Sequence, residues 1–375
     1  MRQLKGRVVM SSPKLTVCGS GNAGVAIAAD CALAGLDVSL YELPQLTENI
    51  EPILRHGGIQ VTQDSETSCG KTGFAKLAAA TTDASEAVTN ADVIMITVPA
   101  MYHTVFWDTI EPHLREGQIV LFNTGYYGSL RHAMKRNRLP VNVTLAESNI
   151  MPYLCAKNEH NTHIIRYKRS FRIASFPGKD IQTVYDVAKR IYPQYERVDH
   201  VLDTNIASSG NPAFHPTLII PVAGFYFDRY MGGKMYSDST AMAGRLIRAY
   251  DDERKKLSGF LGSPYFQTTE EFESRTYEYE GKDIIEMLRK SNHIDWYAPA
   301  AYIKQVVEED LLYAYIPMVL LGEQLGLKLP ATRAMVEILS VMLGEDYWSR
   351  GIHPEQLGID GMKKDDLLRY LMEGV

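Results

Sequence analysis

The sequence predicts an α/β fold in two parts: a parallel-sheet unit first, then a mostly α-helical second half. Three observations carry this expectation. Near the start, a strand, a glycine turn, a helix and a second strand follow one another within about 30 residues. Further on, Asp92–Val98, Gly117–Phe122 and Val141–Ala146 are continuous apolar runs, the kind buried on both faces of a parallel sheet. Beyond about Thr204 such runs vanish and helical periodicity takes over.

The first unit is the most informative. Leu15–Cys18 runs into Gly19, Ser20, Gly21, Asn22, Ala23 and Gly24, with the glycines spaced G-x-G-x-x-G. Gly19 allows the tight turn, Gly21 lets backbone approach a pyrophosphate, and Gly24 lets helix and strand pack closely. The apolar run Val25–Ala34 reads as the helix whose N-terminus would face the phosphates, where free N–H groups favour an anion. Gly35 stops it, and a strand from Asp37 to Tyr41 ends at Glu42. A carboxylate about 20 residues after the glycines is placed for the ribose 2′-OH of a dinucleotide. This is the Rossmann-type fingerprint. Glu42 would repel a 2′-phosphate, and no Arg follows among Leu43, Pro44 and Gln45, so NAD(H) is favoured, with NADP(H) left open.

At 375 residues two domains are expected, divided as 1–198 for the dinucleotide and 199–375 for substrate and catalysis. A hydrophobic fraction of 45% supports a sizeable core. The net charge of -6, without a basic tail, argues against a nucleic-acid partner. The cysteines Cys18, Cys31, Cys69 and Cys155 have no C-x-x-C spacing, so neither a metal site nor a disulfide framework is expected. No stretch is apolar for about 18 residues and Met1–Ser12 lacks a signal-peptide core, so a soluble, cytoplasmic protein is expected, without a membrane partner. An apolar helix face fits either a core or an interface, so a homodimer stays open.

After Glu42 the chain is polar and punctuated by proline. Ile59–Val61 and Leu77–Thr81 read as short strands, and Asp83 as the cap of a short helix. The strand ends then carry the glycine loop, Glu42, Pro99, and Asn123 with Gly125; ligands bind outside the carboxyl ends of such strands. His163–Ser175 reads as one or two strands turning at Lys168-Arg169, and Asp180–Ile191 as a helix. Helices are expected over Ala241–Leu257, Lys282–Lys290, Tyr302–Leu325, Ala331–Leu343 and Lys364–Met372.

Hydride chemistry needs an acid/base beside the reacting carbon, and histidine titrates in the right range. In Ser209–Pro216, prolines 212 and 216 restrict His215, with Asn211 one helical turn earlier. In Glu308-Glu309-Asp310, the first two acids are expected on a solvated face and Asp310 pointing inward. His103, just after Pro99-Ala100, is a candidate for facing substrate. His160 and His163 are expected at the surface.

These pieces together resemble the opine (octopine/nopaline) dehydrogenase family. The resemblance rests on G-x-G-N-x-G at 19–24, on Asp92–Ala100 followed by His103, and on Asn123-Thr124-Gly125. It continues in Asn211 with His215-Pro216, Glu309-Asp310 with Ile316-Pro317 and Leu321-Gly322, and Gln356–Gly361. It implies a second domain like the C-terminal domain of 6-phosphogluconate dehydrogenase. It also implies NAD(P)H-dependent reductive condensation of a 2-oxo acid with the amino group of an amino acid. His215 would be the general acid/base, Asp310 its orienting partner, and Asn211 a substrate contact. The family often has an Arg shortly before Glu-Asp; here Lys304-Gln305 stands there, and Lys304 is the candidate for that charge as a point donor. A ketopantoate-reductase-like or 2-hydroxyacid dehydrogenase shares this build around a central lysine, which Lys304 keeps open and the Asn211, His215, Asp310 set opposes. A non-catalytic NAD sensor would have lost the His–Asp pair, which this chain keeps.

Overall fold

The structure is a computed structural model that describes residues 12–64, 71–292 and 295–375. Cys69, His293 and the segment 1–11 lie outside them.

The helix α1 (Asn22–Leu33) is apolar on every side, and the fold explains why. One side rests on the main sheet, built from β1 (Leu15–Cys18), β2 (Val38–Tyr41), β5 (Ala79–Thr81), β6 (Val93–Ile96), β7 (Ile119–Asn123), β8 (Thr144–Ser148), β11 (Phe171–Phe176) and β12 (Tyr195–Arg197). Its order is β12-β11-β8-β7-β6-β1-β2-β5, parallel except between β8 and β11. The other side packs under a second sheet of order β4-β3-β10-β9, from β3 (Ile59–Gln63), β4 (Gly73–Ala75), β9 (Tyr153–Asn158) and β10 (Asn161–Tyr167). Every residue from Gly24 to Cys31 is buried, Asp30 included, which accepts from the Tyr153 hydroxyl of β9.

The opposite face of the main sheet is covered by α3 (Ala84–Val88) and α4 (His103–Ile110), where Trp107 and Phe106 pack against Phe122 and Tyr41. Asp83 caps α3 as expected, accepting from the N–H groups of Ser85 and Glu86. The helices α2 (Glu51–His56), α5 (Gly128–Arg136) and α6 (Ile181–Ile191) complete this part.

From Asp203 onward the chain is helical apart from a short antiparallel ladder between Gly232–Gly233 and Ala298–Pro299: α7 (His215–Ile219), α8 (Ala241–Leu261), α9 (Thr269–Tyr277), α10 (Ile284–Arg289), α11 (Ala300–Asp310), α12 (Ile316–Gln324), α13 (Pro330–Leu343), α14 (Tyr347–Arg350) and α15 (Lys364–Glu373). The helix expected over Tyr302–Leu325 is interrupted. A wide π turn at Leu311–Tyr315 separates α11 from α12 and re-aims the residues after Asp310. Among the described residues no helix is long and apolar enough to cross a membrane.

One buried cation ties the helical part together. Arg254 of α8 is 1% exposed; it pairs with Asp251 and donates to the carbonyls of Ile206, Ala207 and Gln267. Removing one member of a buried pair leaves the other charge uncompensated. Arg254→Ala should therefore lose about 3–5 kcal/mol of stability, read as a lowered urea midpoint. A change within about 0.5 kcal/mol, as at an ordinary surface position, would contradict this role.

Candidate active site

The glycine loop is built as its spacing requires. Gly19 has φ +101°, and a Cβ there would lie 2.4 Å from Val98 Cγ1. A Cβ on Gly24 would lie 1.9 Å from the carbonyl oxygen of Gly19, so only hydrogen permits the helix to sit this close to the strand. At Gly21 a Cβ would meet nothing within 4 Å, and the N-terminus of α1 carries no side-chain cap. Open space beside unpaired N–H groups suits a pyrophosphate.

Glu42 is 3% exposed at the end of β2. Its carboxylate accepts from the N–H and hydroxyl of Ser20 (2.9 and 2.7 Å) and from the Leu43 N–H (2.9 Å). A carboxylate can accept about four bonds, so one position remains for a ribose hydroxyl. Sequence reasoning missed Lys157 on β9. Its Nζ donates to the carbonyls of Ser20 (2.8 Å) and Asn49 (2.5 Å), and its N–H donates to Asn22 Oδ1 (3.0 Å). No local motif marks it, because it reaches the loop only through the second sheet.

The loop after β7 takes an unusual path. Tyr126 and Tyr127 both have left-handed φ, 47° and 58°. Such residues cost about 1–3 kcal/mol each and persist only when neighbours fix them. Here Gly125 N donates to Ser148 O (2.8 Å), Tyr127 N donates to Asn205 Oδ1 (3.1 Å), and the Tyr126 hydroxyl donates to Asp310 Oδ1 (2.6 Å).

Asp310 is the meeting point. It ends α11, is fully buried, and its other oxygen lies 2.9 Å from His215 Nδ1. A carboxylate only accepts, so Nδ1 carries a proton and Nε2 is the nitrogen left for a substrate. Among the described residues Nε2 has no protein partner. Asn211 lies on the loop entering α7, and its side chain approaches the Tyr126 hydroxyl. Tyr315, in the π turn, donates to Pro212 O (2.8 Å) and fixes this loop against α11. The inward aim expected of Asp310 is what the structure has. Behind Tyr126 a polar cavity of about 20 Å³, bordered by Asn149 and Ser209, has room for a water but not for a substrate.

Several expectations are corrected. His103 does not face a cleft: it is fully buried at the start of α4, its Nε2 3.2 Å from Val98 O and its ring 5.1 Å from that of Phe122. Burial and the nearby Arg131 hold it well below its usual pKa, so it is a neutral packing group. Lys304 is half-exposed, with Nζ 3.7 Å from Glu308 and 3.5 Å from Glu345. It stands six positions before Asp310, and at about 100° per residue the two point in different directions. Asn123 turns its side chain into the sheet, between Ser148 and Met95, so only its backbone is offered to a ligand. Pro99 leads into the turn at Ala100, as the strand-end reading expects.

Glu308 and Glu309 are not simply solvated. Glu308 accepts from the Tyr347 hydroxyl (2.9 Å), while Glu309 accepts from Ala100 N (2.6 Å) and so spans to the loop after β6. Arg131 of α5, also missed, donates to Ala100 O (3.1 Å) and lies 4.6 Å from the centre of the Tyr313 ring. His163 stands at the surface, 3.1 Å from Asp64, and no group of metal-ligating side chains gathers among the described residues.

With this geometry in place, the comparisons with known proteins are specific. Residues 197–343 match the NAD/NADP octopine/nopaline dehydrogenase alpha-helical domain, and residues 9–147 match the NADPH-binding domain of acetohydroxy acid isomeroreductase. An opine dehydrogenase from Arthrobacter sp. (strain 1C) is 26% identical over 364 residues, covering 94% of this chain and 97% of its own. The helical part of the chain, residues 197–343, is an octopine/nopaline dehydrogenase alpha-helical domain. The chain is an NAD(P)-dependent oxidoreductase of the kind acting on CH–NH donors. Octopine dehydrogenase in complex with NADH and agmatine shares the fold, with a TM-score of 0.75 at 15% identity over 95% of this chain and 98% of that one. Yersinopine dehydrogenase with NADP+ bound gives 0.66 at 13% identity, over 96% and 98%. The family therefore accommodates both nucleotides.

Glu309 supplies a pH test. Burial is the main cause that raises its carboxyl to about 7, against an ordinary 4.5. Between those values the folded protein binds more protons than the unfolded chain, so stability falls as pH rises through that window. Glu309→Gln should lessen the loss of urea midpoint between about pH 5 and about pH 7.5 relative to the parent protein. Glu147 and Glu273 shift in the same direction and remain in both proteins. An identical pH slope in the variant would remove Glu309 from this account.

Proposed function

We propose that this protein uses NADH to condense a 2-oxo acid reductively with the amino group of an amino acid, giving an N-(1-carboxyalkyl) amino acid. The observation that carries the reading is the His215–Asp310 pair, with Nε2 of His215 unpartnered among the described residues and Asp310 also held by Tyr126 from the sheet side. A bound NADH supplies the hydride. The chain's own residues supply orientation and protons. The amine adds to the oxo carbon, and its two N–H protons pass by way of His215 Nε2 to the oxygen, which leaves as water. Hydride addition to the resulting imine carbon, with a proton from solvent delivered to nitrogen through His215, yields the secondary amine. Asp310 keeps Nδ1 protonated and stabilises the imidazolium while His215 is charged.

Under this reading residues 1–198 hold the cofactor and residues 199–375 hold the catalytic pair. Gly19, Ser20, Gly21, Asn22, Ala23 and Gly24 meet the pyrophosphate, Pro99 and Gly125 border the path toward the nicotinamide, and Asn211 contacts substrate. Preference for NADH over NADPH follows from the buried carboxylate of Glu42 on the ribose side.

The test is NADH oxidation with pyruvate and other 2-oxo acids, each with and without a panel of amino acids. Turnover should require both partners. Turnover with the oxo acid alone would instead make the protein a hydroxyacid dehydrogenase. His215→Ala should lose about two or more powers of ten in kcat with NADH binding retained; near-normal turnover removes His215 from the mechanism. Glu42→Ala should make NADPH more acceptable relative to NADH, and an unchanged ratio would relocate the discriminating group.

A further inference from the structure

Two buried charged side chains are used by no step of the mechanism above. Lys168, just after β10, is 4% exposed, and Glu273 on α9 is 3% exposed. They interact with each other. Yet among the described residues no carboxylate comes within 4.0 Å of the Lys168 ammonium, and no donor bonds to the Glu273 carboxylate. The Lys168 Nζ lies 5.5 Å from the centre of the Tyr277 ring. A buried charge without a partner is costly, and a ligand that completes it is a reason for a protein to keep one.

Contacts tie this pair to both parts of the site. The strand β9, which pairs with β10 just before Lys168, carries Cys155, whose Sγ is 3.4 Å from the carbonyl oxygen of Asn22 in the glycine loop. Glu273 stands one turn before Tyr277 on α9, the residue whose ring faces Lys168. Phe272, next to Glu273, lies 6.3 Å ring to ring from Phe214, which precedes His215. The usual candidate for a carboxylate anchor, Lys304, is committed to Glu308 and Glu345 on the outside of α11.

We propose that Lys168 and Glu273 form the receptor for the amino-acid substrate, Lys168 anchoring its carboxylate and Glu273 its cationic group. The identification of that ligand as a substrate rests on the reaction proposed above. An ammonium and a carboxyl side by side match a zwitterion; a 2-oxo acid would leave Glu273 unmatched. Burial, as the main cause, pushes Lys168 down to about 8 and Glu273 up to about 8. A cation arriving with the carboxylate favours ionised Glu273.

The test pairs each amino acid with the amine that lacks its carboxylate: L-arginine with agmatine, L-phenylalanine with phenethylamine, L-alanine with ethylamine. The other standard amino acids are titrated alongside. Binding to the protein–NADH complex is measured by calorimetry, which does not depend on turnover. The parent protein should bind at least one amino acid about ten- to a hundredfold more tightly than its amine, the range for a hydrogen bond to a charged group. Lys168→Met should remove that difference without weakening the amine, and Lys168→Arg should restore most of it. Glu273→Gln should weaken amino-acid binding and leave pyruvate binding unchanged.

The proposal is overturned if no standard amino acid binds, if the ratio survives in Lys168→Met, or if Arg131→Met abolishes it while Lys168→Met does not. It is equally overturned if Glu273→Gln leaves amino-acid affinity unaltered. Discrimination without turnover would keep the receptor and sink the condensation reaction. Turnover of both partners without discrimination would do the reverse.

Discussion

One carboxylate holds the two parts of the molecule to a common geometry. Asp310 arrives from the helical part and accepts from Tyr126, which arrives from the sheet, and from His215, which arrives on a third segment. Each bond constrains the other two groups. Because Asp310 is fully buried, its charge tolerates no vacancy, and the loop after β7 must hold Tyr126 in a left-handed conformation to fill one of its oxygens. The wide turn at Leu311–Tyr315 follows directly, re-aiming the chain so that Tyr315 can reach Pro212. Irregular backbone on both sides of one carboxylate is the local cost of a fixed imidazole.

How much was legible in the sequence depended on whether the signal was local. The strand, glycines, helix and acid of residues 15–42 lie within one continuous unit, and each residue type there has a steric or electrostatic reason visible without neighbours. The apolar strands of the main sheet were legible for the same reason. The second sheet was legible only as separate strands: Ile59–Val61 and the segment from His163 read as strands, but β3 pairs with β10 across about a hundred positions, which no local pattern shows. The all-round apolar character of α1 was its one indirect sign, since a helix on a single sheet would keep a polar face.

The site divided along the same line. Helical direction alone put Asp310 inward and its neighbours elsewhere. It could not show that Glu309 would find a backbone N–H from the loop after β6, because that contact joins residues more than two hundred positions apart. His103 misled because sequence proximity to a strand end does not say which side of the sheet the chain will follow; α4 turns it under the sheet, against Phe122. Arg131, Lys157 and Lys168 gave no signal of a role because a basic residue on an ordinary helix, strand or turn resembles any solvated one.

The long-range pairing of β3 has a consequence for synthesis on the ribosome. When β3 first emerges, its parallel partner β10 is still about a hundred residues from being made. Until then β3 has only β4 beside it, its other edge is open, and one face of α1 has nothing to lie under. At synthesis rates of about 5–20 residues per second, that open edge lasts for some seconds. The nascent dinucleotide unit is therefore more exposed to edge-to-edge association than its finished form, and it becomes closed on both faces only after Tyr167 has left the exit tunnel.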